Sequence, residues 1–75
     1  MRADQATHES EMLVLERVYH VTHSCFGTFI GRVVEPAPGW CGFVILESNE
    51  KLSNLGYLVG HYIELTADFY KARAL

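Results

Sequence analysis

The sequence predicts a mainly β fold, a small antiparallel β-barrel with one short C-terminal helix. Three observations predict it. Residues 26–34 and 57–66 alternate with the period of a strand and are rich in Val, Ile, Phe and Tyr. Gly27 and Gly31 fall on one face of the first of these segments, where they let a small sheet bend sharply. Pro36, Pro38 and Gly39 then punctuate a connection between strands.

The elements follow in order. Residues 1–10, "MRADQATHES", lack a sustained apolar period and are expected to form a flexible tail. The single folded domain is expected over 11–75, since 75 residues cannot build a second core. "MLVLERVYHVT", residues 12–22, reads as a strand with two mixed faces; a helix carrying Met12, Leu15 and Tyr19 on one side is the alternative. "FGTFIGRVV" is the second strand, with Phe29 and Val33 on the glycine face. The prolines of "EPAPGWCG", residues 35–42, are expected to forbid a central strand there. "FVILE", residues 43–47, is apolar on both faces and reads as central. Residues 48–56 form a polar loop with one helical turn capped by Ser48 and ended by Gly56. "YLVGHYIELT" is the last strand, and Thr66 caps a helix over "ADFYKARAL".

Short strands with glycine bends in a chain of this size suggest a curled antiparallel sheet, with SH3-like and OB-like barrels as candidates. The alternative is an α+β fold, an open antiparallel sheet covered by the helix.

Charge narrows the partners. Nine acids against six bases leave a formal charge of -3, and the bases are scattered among acids. A nucleic-acid binder usually carries a basic excess, so a protein partner is the first expectation and single-stranded nucleic acid or RNA the second. The N-terminus has no apolar signal segment and no apolar run is long enough to span a bilayer. The chain therefore reads as cytoplasmic, with its two cysteines reduced.

The stretch "HVTHSC", residues 20–25, carries the one concentration of metal-ligating groups. His20, His23, Cys25 and Cys41 supply the four thiolate and imidazole ligands zinc prefers. Their spacing opposes it. The cysteines belong to no C-x-x-C pair, and His20 and His23 face opposite ways on a straight strand. A zinc-stabilised domain is thus the third alternative, behind a strand end followed by a buried thiol, and no cofactor is expected. A Cys25–His23 nucleophile pair has no supporting signature, and no phosphate-cradling glycine loop is present, so the expectation is a non-enzymatic protein. His61, on an apolar strand face, reads as a core or rim residue.

Binding residues are sought among aromatics and exposed bases. Trp40 follows "PAPG" and either caps the barrel or anchors a partner. Arg32, Lys51 and Tyr62, with Arg17, combine charge and stacking surface. The reading is a small interaction module of adaptor or inhibitor type, with a core thin enough to leave room for a homodimer.

Overall fold

The computed structural model describes residues 12–75; the expected tail lies outside the described residues. Five strands form one antiparallel sheet: β1 Val18–His23, β2 Gly27–Ala37, β3 Trp40–Glu47, β4 Tyr62–Thr66 and β5 Tyr70–Ala74. One five-residue helix, α1 Glu50–Asn54, lies between β3 and β4. The order across the sheet is β4-β3-β2-β1-β5. The mainly β expectation holds: four strands meander, and the fifth returns beside the first.

That order makes β4 and β5 the two edges, yet only a 3₁₀ turn, Ala67–Phe69, joins them. In a flat sheet the outer two of five strands stand about 19 Å apart, at roughly 4.8 Å per neighbour. Four Cα steps from Thr66 to Tyr70 span at most about 14 Å fully extended. The sheet must therefore curl enough to bring Thr66 and Tyr70 within that reach. β2 takes most of the bend. Its first half pairs with β1 from Gly27 to Arg32, and its second half with β3 from Ile30 to Ala37. The β2–β3 register shifts at Ile30/Gly31 and again at Val33/Glu35. Such irregularities bend a strand and raise its twist. Gly31 sits at the first shift, where a Cβ would stand 2.9 Å from the Phe29 ring and 3.2 Å from Phe43. No larger residue fits.

The concave face is the core. Tyr19, Val21, Phe29, Val33, Cys41, Phe43, Ile45, Ile63 and Leu65 point inward from alternate strand positions, and Leu52 of α1 closes one end. The Phe43 ring meets Phe29 and Tyr70 edge-to-face, at centroid distances of 5.8 and 5.7 Å, the arrangement ring quadrupoles favour.

Several expected boundaries move. The C-terminal helix does not form: after the 3₁₀ turn, Tyr70–Ala74 is a strand paired with β1, and Thr66 makes no side-chain cap bond. β1 offers a ladder in which five residues pair at once, and Tyr70 and Ala72 turn inward while Lys71 and Arg73 stay exposed. This outweighs the weak helical preference of so short a segment. The five strands form one open sheet, as in the alternative reading, but among the described residues no long helix covers it.

The strand expected from residue 12 begins at Val18, because Glu16 takes a left-handed conformation at φ 73° and turns the chain. The strand expected over 57–66 is confined to Tyr62–Thr66, since Gly60 turns the backbone at φ 92°. His61 lies before β4 and is exposed rather than in the core. Pro36, expected to exclude a strand, lies inside β2. It stands beyond the last β1 partner and opposite Cys41, so its missing N–H removes no bond to β1.

One side chain ties α1 to the sheet. Asn49, not Ser48, caps the helix: its Oδ1 accepts from the Leu52 N–H at 2.8 Å. Its Nδ2 donates to the carbonyls of Phe26 and Thr28 at 2.9 and 2.7 Å. Replacing Asn49 by Asp keeps the cap acceptor but sets a carboxylate against two carbonyl oxygens. A loss of about 2–3 kcal/mol in urea unfolding is expected; a change within about 0.5 kcal/mol would mean the two donor bonds contribute nothing.

Candidate partner-binding face

The outer face of β2, β3 and β4 is built in three rows of Cα partners. Arg32, Val44 and Tyr62 form one, Glu35, Gly42 and Glu64 the next, and Ala37, Trp40 and Thr66 the last. Even-numbered residues of β3 and β4 point outward here because their odd neighbours fill the core. Three of the four residues expected to bind a partner, Trp40, Arg32 and Tyr62, thus share one face. Lys51 stands apart, exposed on α1, and Arg17 is exposed ahead of β1.

Gly42 organises the middle row. A Cβ there would stand 2.7 Å from the Tyr62 Cε1, so the phenol ring lies directly on the bare backbone. The ring stretches across Gly42 and brings its hydroxyl between two carboxylates, 2.8 Å from Glu35 Oε1 and 2.8 Å from Glu64 Oε2. A phenol has one proton and can donate to only one of them. Partial desolvation, then the hydrogen bonds and negative charge of Glu35 and Glu64, push the Tyr62 hydroxyl above its ordinary titration range. Arg32, the base in the adjacent row, has Nη1 at 3.0 Å from Glu16 Oε1, and both groups are partly exposed. The centre of the face is therefore acidic.

Trp40 opens the last row at the start of β3 and is half-buried. An open groove of about 380 Å³ lies beside it, lined by Pro38, Gly39, Glu64, Leu65 and Thr66. Tyr62 and Glu64 were legible as face-sharing neighbours two apart. Glu35 and Gly42 were not, because only the β2–β3 register brings them beside Tyr62.

The metal-ligating stretch resolves differently. His20 lies on the outer side of β1 and His23 on the inner side, while Cys25 is exposed in the hairpin turn and Cys41 is buried on β3. Among the described residues, no three His, Cys, Asp or Glu side chains converge on a metal position. His23 instead closes the β1–β2 hairpin. Its Nδ1 accepts the N–H of Cys25 at 2.9 Å and of Phe26 at 3.2 Å, and its ring stacks on Phe26 at 4.4 Å. The Cys25 backbone, not its thiol, engages the imidazole. Burial pushes the Cys41 thiol up to about 11, against a hydrogen bond with Tyr70 that lowers it. Tyr70 rises to about 12, by burial first and then by Cys41.

No protein-family model matches the chain, and no curated protein and no solved structure matches it. Among the described residues no helix is long and apolar enough to cross a membrane.

Two outcomes test these environments. Iodoacetamide at pH 8 is expected to modify one thiol per native chain, Cys25, and two after denaturation; mass spectrometry of the native protein showing rapid double labelling would contradict a sealed Cys41. Burial lowers the His23 pKa below 6.5. The folded state then binds fewer protons than the unfolded state, so His23 contributes its full stability above about pH 6.5 and loses it as pH falls through the folded value. His23→Asn retains an acceptor without titrating. Its melting temperature is expected to fall less than the wild type's between pH 7 and pH 5.

Proposed function

We propose that this protein is a small non-enzymatic interaction module that binds a protein partner on the outer face of β2, β3 and β4. The observation that carries the reading is Trp40, half-exposed beside an open groove on a face that also presents Tyr62 and the carboxylates of Glu35 and Glu64. Large aromatics beside polar rims are where binding energy concentrates in protein interfaces. The acidic centre disfavours a nucleic-acid backbone, which needs positive charge where Glu35 and Glu64 stand. It suits a protein segment.

The topology supports the SH3-like type over the OB-like type of small barrel. Four strands run as a simple meander and the fifth returns to the first after a 3₁₀ turn, whereas an OB-like barrel is a Greek key. The free thiols of Cys25 and Cys41 suit a reducing compartment such as the cytoplasm. The role assigned to the protein is that of an adaptor or inhibitor, which acts by contact alone.

The test is a random dodecapeptide display library panned on the wild type and on Trp40→Ala, with folding of the variant verified by circular dichroism. Peptides selected by the wild type are expected to lose at least about 2 kcal/mol, roughly 30-fold in Kd, on the variant. Equal capture by both proteins would remove Trp40 from the site. Tight binding of single-stranded oligonucleotides at low salt, with no peptide enriched, would replace the protein partner by nucleic acid.

A further inference from the structure

β4 is an edge strand, and among the described residues nothing pairs with its outer side. In an antiparallel ladder each residue directs its N–H and C=O at one neighbour, and successive residues alternate. The Ile45 N–H donates to the His61 carbonyl at 2.9 Å, and the Ala67 N–H donates to the Gly39 carbonyl at 2.9 Å. His61 and Ala67 thus aim at β3, and so do Ile63 and Leu65 between them. The backbone groups of Tyr62, Glu64 and Thr66 aim the other way, where none of the described residues pairs with them. Edges that avoid new strands are very short or carry charges, lysine above all, proline or a bulge. β4 is five residues long, has no lysine, proline or bulge, and its one charge is Glu64, which selects a basic occupant rather than excluding every strand. The groove beside Trp40 is lined in part by Glu64, Leu65 and Thr66 of this strand.

We infer that β4 takes an extended, basic segment of the protein partner as an added antiparallel strand. The inference rests on the outer face being the partner surface, and it names the occupant. A residue set opposite Glu64 shares the outer face and lies about 5.5 Å away Cα to Cα. Its side chain lies beside Glu64, whose carboxylate shares a single phenol proton with Glu35 and so keeps this part of the face acidic. Lysine or arginine is the match. The residue opposite Thr66 lies toward Trp40, the Cα partner of Thr66 on β3, and is apolar. The residue between them faces inward beside Leu65 and is apolar as well. Read from its N-terminus, the segment is apolar–apolar–basic.

A second copy of the chain fits poorly. The Leu75 N–H donates to the Val18 carbonyl at 3.2 Å, and the Ser24 N–H to the Phe69 carbonyl at 2.8 Å. The free groups of β5 therefore belong to Tyr70, Ala72 and Ala74. Pairing them antiparallel with β4 sets Lys71 and Arg73 opposite Ile63 and Leu65. Pairing two β4 strands about a twofold axis through their centres sets Glu64 on Glu64, which like charges oppose.

The experiment titrates ¹⁵N-labelled protein with the capped peptide Ac-Ser-Leu-Val-Lys-Val-Ser-NH2 and with its Lys→Glu counterpart. The lysine peptide is expected to bind about tenfold tighter at low salt. It should slow hydrogen exchange at the Glu64 and Thr66 amides, and Glu64→Lys should reverse the preference between the peptides. Equal affinity for the two peptides, or binding that leaves the β4 amides exchanging as before, overturns the strand inference. Concentration-dependent protection of those amides without peptide would assign the edge to a second copy and overturn it too. Should the lysine peptide form no strand while Trp40-dependent peptides are still selected from the library, only this inference falls. Failure of that selection removes the partner reading itself.

Discussion

Three residues, Ala67 to Phe69, carry the chain from one edge of the sheet to the other. Everything else accommodates that short tether. Because it cannot span a flat sheet, the strands curl, and curling separates a concave face from a convex one. The concave face then holds the aromatic and aliphatic side chains that hold the fold together. The convex face is left with Trp40, Tyr62 and the charged residues. β2 absorbs the strain by serving two neighbours in succession, with register shifts where it passes from β1 to β3. Gly31 lies at the first of those shifts, under two phenylalanine rings that admit no side chain.

A domain this small has little core to spend on its loops, so single polar side chains fasten them. Asn49 makes three hydrogen bonds that join the start of α1 to the β1–β2 hairpin. His23 holds the same hairpin from within, accepting two backbone amides on one ring nitrogen. Both residues replace backbone partners that a tight turn leaves unmatched. The hairpin is thereby fixed from two directions, and the strands leaving it enter the sheet in a defined register. The polar residues of "HVTHSC" are accounted for by this role and by exposure, not by convergence on a metal.

Register in turn makes the outer face what it is. Glu35 and Glu64 are 29 positions apart in a chain of 75, and only the pairing of β2 with β3 and of β3 with β4 sets them on either side of Gly42. The Tyr62 hydroxyl bridges them because a glycine leaves room for its ring. A shift of one residue in either ladder would turn Tyr62 or Glu35 inward. The face, its acidic centre and the open β4 edge are therefore consequences of the same curled meander that builds the core.

The sequence by itself determined the β class, the glycine bends, the helical turn near residue 50 and most of the inward-pointing residues. These depend on local alternation and composition, which a strand expresses without reference to its neighbours. It also marked Trp40, Arg32 and Tyr62, since surface aromatics and bases are visible as types. Only the tertiary structure decided that "YKARA" is a strand, because β1 offers it a ladder that no local signal announces. Pro36 belongs to a strand for a similar reason: β1 has ended before it. His23 and Cys41 lie on the inner face, His20 on the outer face and Cys25 in the hairpin turn, a separation set by folding rather than spacing. Glu35 and Gly42 joined the candidate site for the same physical reason: cross-strand neighbours are chosen by long-range pairing, and the chain between them carries no record of which residues will meet.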